Sequence, residues 1–428
     1  MTLFVLLKLL GCLALLMFGM KAMSDALQKM AGPQLRHVLS TMTTNRFTGL
    51  LTGVFVTAAV QSSTATTLMT VSFVNAGLLT LTQSISVIMG AHIGTTVTAW
   101  IMSLGFSFNI SDFVYLAFFI GIILLYMKRR RIIGDFMFGI AFLFLGLGTL
   151  KETGFALVQD PSANEAISAF FSRFNEPSFW NSVFFLFMGT ILTLCVQSSA
   201  AIMAITMILC TTGVLHVDQG IMLVLGENIG TTITANIVAI GANTQARRAA
   251  FAHLSINVIG VTWALILYRP FINIICRFVG FDMNLTANDP GYAENLAMIS
   301  VVLATFHSTF NITNTLIQIG FVKSIERFVC KVIKPHVSEE DEESRLKFIA
   351  GGLLSTAELS TLQAQKEISL FSTRTNKMFG FIPNLLFETK NDEDFSKLYA
   401  RIVKYEQISD NMEIAEDIYN LKTIPCNE

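Results

Sequence analysis

The sequence predicts an all-α protein that crosses a membrane several times and contains two copies of one structural unit. Of its 428 residues, 53% are hydrophobic and only 14% are charged, whereas soluble domains carry roughly 25% charged residues. Several apolar stretches approach the length of about twenty residues that a helix needs to cross a bilayer. Polar motifs also recur in register along the chain, which indicates an internal duplication. A net charge of −1 excludes a basic nucleic-acid binder, so we expect no nucleic-acid partner.

Two pairs of motifs define the duplication. Gln-Ser-Ser-Thr at 61–64 returns as Gln-Ser-Ser-Ala at 197–200, and Gly-Ala-His-Ile-Gly-Thr-Thr at 90–96 returns as Gly-Glu-Asn-Ile-Gly-Thr-Thr at 226–232. The same 136 residues separate the members of both pairs. Amide and hydroxyl side chains are costly in an apolar environment unless they are hydrogen-bonded. Their recurrence favours a ligand site over the close helix packing that a lone Ser-Ser or Gly-Thr-Thr would suggest.

Each Gln-Ser-Ser motif divides an apolar segment into two arms that are short for a membrane span. The segments are 47–79 and 179–215, and their arm lengths predict two re-entrant hairpins with the polar motifs at the tips. The next helix of each copy contains two glycines four residues apart, such as Gly90 and Gly94 in the first copy. Because glycine weakens a helix interior, we expect both of these helices to be broken there.

The remaining apolar stretches predict full spans, and the charges predict the domain limits. We expect a first transmembrane repeat at 1–127, a second repeat with extra spans at 128–325, and a small soluble helical domain at 337–428. The soluble domain is expected because charged residues concentrate after an acidic run at 338–343. The predicted spans are 3–23, 82–102, 112–127, 132–150, 217–240, 249–268 and 297–320.

The distribution of basic residues predicts that the two repeats are inverted relative to each other. If a hairpin enters and leaves on one side, the first repeat crosses the membrane an odd number of times, so the second repeat starts on the opposite side. Most Lys and Arg residues, including the cluster at 128–131, then fall on one side, which the positive-inside rule makes cytoplasmic. The C-terminal domain lies on that side as well. Inverted repeats that meet in the middle of the membrane are typical of secondary transporters.

The two hairpin tips are the predicted binding site. A tip places the unpaired N–H groups of its second helix inside the membrane, where they favour an anion. The predicted substrate-binding residues are Gln61, Ser62, Ser63, Thr64, Gln197, Ser198, Ser199 and Asn228. Hydroxyls and free carbonyls near the expected helix breaks suit a monovalent cation. The predicted sodium-binding residues are Thr66, Thr95, Thr96, Glu227, Thr231 and Thr232.

Some polar residues have more than one interpretation. Glu227, whose counterpart in the first repeat is Ala91, can ligate a cation, carry a proton or simply lie in a wet vestibule. A His-x-x-x-Asn spacing occurs at 253–257 and again at 307–311, and it places both side chains on one helix face. For these pairs, hydrogen bonding between helices is favoured over contact with a substrate.

These motifs, together with Ala-Arg-Arg-Ala-Ala-Phe-Ala-His at 246–253, resemble those of the type II sodium/phosphate cotransporter family, in particular its bacterial branch. The resemblance implies Na⁺-driven transport of inorganic phosphate across the lipid bilayer of the bacterial inner membrane, by a multi-pass protein with no organic cofactor. An enzyme is not expected, because the membrane part contains no nucleophile–base pair, metal cluster or nucleotide loop. The resemblance also implies that the Gln-Ser-Ser segments line a shared phosphate and sodium site. Ala200 stands where the family usually has a hydroxyl residue, and His92 stands where it usually has Asn.

The C-terminal stretch at 408–418 resembles a PhoU-type helical domain. Metal binding by its acidic residues is less favoured than a solvated helix face. The tail therefore suggests a second function for the same scaffold, namely a phosphate exporter or a regulator of phosphate homeostasis with the tail as sensor. The sequence leaves a homodimer open.

Overall fold

The computed structural model describes residues 2–41, 43, 45–107, 111–161, 164–165, 169, 171, 174, 178–285, 289–334, 357–387 and 392–423. Within these residues every regular element is helical, which confirms the all-α prediction. The helices are α1 (Thr2–Thr41), α2 (Arg46–Val60), α3 (Ser63–Asn75), α4 (Leu81–Ser107), α5 (Ser111–Tyr126), α6 (Arg131–Gln159), α7 (Phe179–Val196), α8 (Ser199–Thr211), α9 (Val217–Val238), α10 (Thr244–Ile266), α11 (Tyr268–Val279), α12 (Tyr292–Ala297), α13 (Ile299–Gln318), α14 (Val322–Val332), α15 (Ala357–Phe387) and α16 (Asp392–Thr423).

The protein is a multi-pass membrane protein. Six helical segments in the described part of the chain are long and apolar enough to cross a bilayer. They are Leu7–Met30, Leu81–Ser107, Arg131–Gln159, Phe179–Val196, Val217–Gly241 and Thr244–Ile266. The predicted span at 297–320 forms helix α13 but is not one of the six, because its His, Asn and Thr residues lower its hydropathy.

Helix pairs α2–α3 and α7–α8 form two helical hairpins with almost the same backbone at their tips. The turn residue Gln61 has φ 55° and ψ 29°, and its counterpart Gln197 has φ 54° and ψ 28°. Both residues are therefore in the left-handed region, and both hairpins continue into a second helix of 13 residues. The turns that follow these helices also match, with positive φ at Gly77 and Gly213. The structure therefore keeps the register of the sequence duplication.

The predicted breaks in α4 and α9 are wrong, since both helices run without interruption past their glycines. The glycines instead permit close contact between neighbouring helices. A Cβ atom on Gly90 would lie 1.9 Å from the carbonyl oxygen of Leu50 in α2, and one on Gly226 would lie 2.0 Å from that of Leu186 in α7. Each hairpin thus packs its first arm directly against the backbone of the following helix, as small residues allow in membrane proteins.

The first helices of the two repeats, α1 and α6, pack against each other in antiparallel orientation. Gly19 of α1 lies against the backbone of Leu143, whereas Leu16, further toward the N-terminus, lies against Gly146. α1 is one helix of 40 residues, so it continues without a break beyond the predicted span at 3–23. The buried glycines again bring the two backbones together.

The C-terminal helices α15 and α16 pack on each other and touch the rest of the protein. The Phe381 and Tyr405 rings meet edge to face at 5.4 Å, and the Lys366 ammonium donates a hydrogen bond to the carbonyl oxygen of Gly77, in the turn after α3. The start of the predicted soluble domain at 337 and its acidic run at 338–343 lie outside the described residues.

Candidate functional site

Both hairpin tips line one cavity of about 600 Å³. All four residues of each tip motif, 61–64 and 197–200, contribute to its wall, and the rest comes from α1, α4, α9, α13 and later residues of α3 and α8. Ser63 and Ser199 also line an adjoining space of about 20 Å³. Two motifs that are 136 residues apart in the sequence therefore meet at one place in the fold.

The two serines of each tip have different roles in the local structure. Ser62 is the N-cap of α3, and its hydroxyl accepts a hydrogen bond from the Ala65 N–H at 3.2 Å. Ser198 caps α8 in the same way, with the Ala201 N–H at 3.2 Å. The serine that follows each cap makes no side-chain hydrogen bond to any residue that the structure describes, so its hydroxyl remains available to the cavity.

The cavity also receives the positive ends of two helices. The N–H groups of the first two residues of α3, Ser63 and Thr64, have no acceptor among the described residues, and the same holds for Ser199 and Ala200 in α8. The first N–H groups of a helix lack partners within the helix, and the helix dipole makes that end electropositive. Two such ends that face one cavity form a suitable environment for an oxyanion.

Three of the predicted sodium ligands lie at the site. Thr95 and Glu227 line both cavities, and Thr231 lines the smaller one. Each threonine hydroxyl donates a hydrogen bond to its own helix, Thr95 to the Ala91 carbonyl at 2.9 Å and Thr231 to the Glu227 carbonyl at 3.0 Å. The lone pairs on these hydroxyl oxygens remain able to coordinate a cation.

The other three predicted sodium ligands do not reach either cavity. Thr66, Thr96 and Thr232 are buried, and each hydroxyl donates to a carbonyl of its own chain segment. Hydroxyls that bond back to the preceding turn are common in membrane helices and stabilise the side chain in that position. Of each pair of adjacent threonines, one therefore lines a cavity (Thr95 and Thr231) and the other does not (Thr96 and Thr232).

Glu227 is the buried carboxylate of the site. Only 2% of its surface is exposed, and its Oε2 atom has no hydrogen-bond partner among the described residues. An ionised carboxylate in such a place needs a cation or hydrogen-bond donors. The neighbouring Asn228 lines the smaller cavity, where its amide donates to the Val224 carbonyl at 3.2 Å.

The histidines connect helices around the site. His307 Nε2 of α13 lies 3.3 Å from Asn228 Oδ1 of α9, and Asn257 Nδ2 of α10 lies 3.4 Å from His92 Nε2 of α4. These contacts confirm the prediction of hydrogen bonding between helices for one member of each His-x-x-x-Asn pair. The His92 and His253 rings also meet edge to face at 4.9 Å, and both line the smaller cavity.

Sequence reasoning missed the contribution of α1 to the cavity. Lys21, Ser24, Asp25 and Gln28 all line it. The Ser24 hydroxyl donates a 2.7 Å hydrogen bond to the carbonyl oxygen of Val60, the residue before the first tip. The signal was present in the sequence, because polar residues three and four apart in an apolar helix share one face.

The chain is similar to known proteins over most of its length. The family model described as Na+/Pi-cotransporter matches residues 15–152 and 161–287. The chain belongs to the Na+/Pi-cotransporter family. No solved structure matches the chain.

Three relatives illustrate how far the similarity extends. YjbB of Escherichia coli (strain K12), whose name proposes export of inorganic phosphate, is 26% identical over 423 residues, which cover 96% of this chain and 72% of YjbB. YqeW of Bacillus subtilis (strain 168), named as uncharacterized, is 30% identical over 269 residues, 62% of this chain and 83% of YqeW. Sodium-dependent phosphate transport protein 2B of Homo sapiens is 41% identical over 103 residues, 23% of this chain and 15% of that protein.

Family membership makes the protein a phosphate transporter and not an enzyme. Among the described residues there is no group of three or more His, Cys, Asp or Glu that could hold a metal ion. The small cavity beside Glu227 is lined by carboxylate, amide and hydroxyl groups together with the rings of His92 and His253.

Proposed function

We propose that the protein is a secondary active transporter that couples Na⁺ to the movement of inorganic phosphate across the bacterial inner membrane. The observation that carries this proposal is the convergence of two helix N-termini on one cavity, with free N–H groups and free serine hydroxyls at both. Family membership supports both phosphate as the substrate and sodium as the coupled ion.

In this proposal the phosphate binds in the larger cavity between the tips. The hydroxyls of Ser63 and Ser199 and the N–H groups beside them donate hydrogen bonds to its oxygens, with the side chains of Gln61 and Gln197 at the rim. Hydrogen bonds to a charged group contribute more than those to a neutral group. Because the tip motifs contain no Lys or Arg, binding would depend strongly on a co-bound cation.

Sodium, as the second substrate, binds next to Glu227. The carboxylate and the hydroxyls of Thr95 and Thr231 surround the space of about 20 Å³, which is large enough for one water-sized occupant. A cation there neutralises the buried carboxylate and lies beside Ser63 and Ser199, which face the phosphate. Each substrate therefore favours the binding of the other, which is the thermodynamic basis of coupling.

We infer that transport proceeds by alternating access of two inverted repeats, with the hairpins dipping into the membrane from opposite sides and the C-terminal helices in the cytoplasm. The antiparallel packing of α1 and α6 supports this, because an inverted duplication turns equivalent helices in opposite directions. The matching tips support a pseudo-symmetric site between the repeats.

The test uses the full chain in proteoliposomes loaded with K⁺ buffer. Radioactive phosphate uptake is compared with Na⁺ outside and with choline outside, at equal ionic strength and with equal K⁺ concentrations on both sides, so that valinomycin holds the membrane potential at zero in both cases. We expect an inward Na⁺ gradient to drive accumulation above equilibrium. Uptake that is independent of the gradient would contradict sodium coupling, and protein-free liposomes give the background leak.

A second candidate function is phosphate export regulated by the tail. The similarity to YjbB covers 96% of this chain, including the C-terminal helices. A variant that ends at residue 336 tests this, since it removes α15 and α16 while leaving the cavity intact. Export predicts net phosphate efflux from loaded liposomes even when the Na⁺ gradient is directed inward. A sensor role predicts that truncation changes the transport rate but not the substrate. If the full-length and truncated chains transport phosphate at equal rates in each direction, a regulatory tail is contradicted.

A further inference from the structure

Lys21 places a fixed positive charge on the wall of the larger cavity. It belongs to the segment Leu7–Met30, one of the six candidate spans, and its side chain lies among the residues that line the cavity. Of these lining residues it is the one Lys or Arg. Two acidic side chains, Asp25 and Glu227, also line this wall.

An ammonium group within a membrane span is costly unless it has a partner or reaches water. Among the described residues, Lys21 makes no salt bridge or hydrogen bond that would neutralise it, and its exposed side chain lines the cavity. The cavity therefore provides space in which water can solvate the charge. A charged side chain that depends on a cavity for solvation is available to an ion that enters it.

The contacts of α1 hold this charge close to the first hairpin tip. Ser24 lies three residues after Lys21 on the same helix face, and its hydroxyl donates to the Val60 carbonyl at 2.7 Å. Gln28 donates to Ser24 at 3.1 Å and extends the same polar face. This face therefore has a defined position beside Gln61, and Lys21 is one helical turn away from the point of contact.

An oxyanion needs such a charge in this cavity. An ionised acidic side chain on the wall repels phosphate, and the uncharged tips hold it only at short range. A lysine in a water-filled cleft with low-dielectric walls attracts an anion over a longer distance and raises its local concentration. α6 is the counterpart of α1 in the second repeat, and none of its residues lines the cavity. The positive charge of Lys21 therefore has no equivalent from the second repeat.

We propose that Lys21 is the cation that draws phosphate into the cavity and positions it toward the two hairpin tips. This inference rests on the proposed function, since it assigns a further residue to the same site. Lys21 acts before and during binding and does not replace the hydroxyl and N–H donors of the tips.

The experiment measures Na⁺-driven phosphate uptake by Lys21→Gln, Lys21→Arg, Asp25→Asn and Lys29→Gln in proteoliposomes at low and high ionic strength. Lys29 is the matched control, because it is an exposed lysine on the same helix that does not line the cavity. We expect Lys21→Gln to raise the phosphate KM about tenfold at low ionic strength, with less effect at high salt. Lys21→Arg should retain the wild-type KM within about twofold, and Asp25→Asn should lower it or leave it unchanged.

The outcomes separate this inference from the proposed function. Wild-type uptake without any Lys21 effect at low salt overturns the role of Lys21 only, and so does an equal loss in Lys29→Gln. No Na⁺-dependent phosphate uptake by the wild type overturns the proposed function and this inference with it. If Lys21→Gln does not yield a monodisperse protein, the wild type and Lys21→Arg still decide, because a wild-type KM that does not rise with ionic strength contradicts electrostatic attraction.

Discussion

The two hairpins have the same backbone but differ in how their tips are supported. At the first tip, Gln61 Oε1 accepts a 3.0 Å hydrogen bond from the Thr98 hydroxyl, and its amide donates to the Ala58 carbonyl. At the second tip, the side chain of Gln197 is exposed and makes no hydrogen bond within the described residues. The first tip is therefore held in place by its own repeat, whereas the second is left open to the cavity.

This difference shows that duplication preserved the geometry of the tips while the surrounding chemistry diverged. When the two repeats are aligned, Thr64 corresponds to Ala200 and His92 corresponds to Asn228. Within the described residues, the polar face of α1 forms its hydrogen bond to the first hairpin, through Ser24 to Val60, and none to the second. We infer that the first hairpin is the preorganised half of the site and the second is the adaptable half. Preorganised donors lose less entropy on binding than mobile ones.

The largest predicted effect tests what the two halves share. Gly90→Ala and Gly226→Ala each place a methyl group against a backbone carbonyl about 2 Å away, so each should destabilise the fold by about 3 kcal/mol through overpacking. Thermal unfolding in detergent measures this, with Gly148→Ala as control because nothing lies within 4 Å of a Cβ atom there. Equal losses of stability would show that the two helix contacts are equivalent. An unchanged unfolding midpoint in either variant would show that they are not.

The next prediction concerns the hydroxyls that face the cavity. Ser63→Ala and Ser199→Ala should each weaken phosphate binding by about 1–3 kcal/mol, because each removes a hydrogen bond to a charged ligand. Isothermal titration in saturating Na⁺ gives the affinities. Ser72→Ala is the control in the same helix as Ser63, since its hydroxyl donates to the Leu68 carbonyl and lies away from the cavity. Wild-type affinity in both tip variants would count against the site.

A smaller effect distinguishes the two tips directly. Thr98→Val removes the donor to Gln61 and should cost about 1 kcal/mol in phosphate binding. The equivalent change in the second repeat, Thr234→Val, should have no measurable effect, because the Thr234 hydroxyl makes no bond to Gln197. Parallel titrations of both variants compare the tips. An equal loss in the two would show that the second tip is supported to the same extent as the first.

The smallest effect concerns the missing hydroxyl of the second tip. Ala200→Thr restores the residue found at Thr64 and should improve phosphate binding by about 0.5 kcal/mol or less, near the lower limit for a single hydrogen bond. Thr64→Ala should cause a change of similar size in the opposite direction. Uptake KM values measured side by side in one liposome preparation resolve this. If Ala200→Thr lowers the phosphate KM more than tenfold, the second tip lacks a hydroxyl that binding requires and is not simply the adaptable half of the site.

Several of these features could be predicted from the sequence because they depend on local patterns. The polar motif that interrupts an apolar segment located both tips, and Ser62 and Ser198 are N-caps as their residue type suggests. The role of Gly90 could not be predicted in this way. A glycine that weakens a helix and one that permits a close helix contact look the same in a sequence, and only the position of Leu50 distinguishes them.

The site was predictable to a similar extent. The motifs identified the tip serines, but the choice between Thr95 and Thr96 depends on which side of a continuous helix faces the cavity, and the expected break obscured that periodicity. Lys21 was missed because it lies 40 residues before Gln61, in a helix that carries no motif. Its position depends on the packing of α1 against the first hairpin.

The left-handed backbone at Gln61 and Gln197 has a consequence for how these positions can evolve. Glycine adopts this conformation without strain, whereas a residue with a Cβ atom is less stable there by roughly 1 kcal/mol. Mutation to glycine would therefore relieve the backbone at either tip. Both copies nevertheless retain glutamine. The side-chain amide at each tip therefore comes with a backbone penalty, so we expect glycine at these two positions to stabilise the fold at the expense of transport.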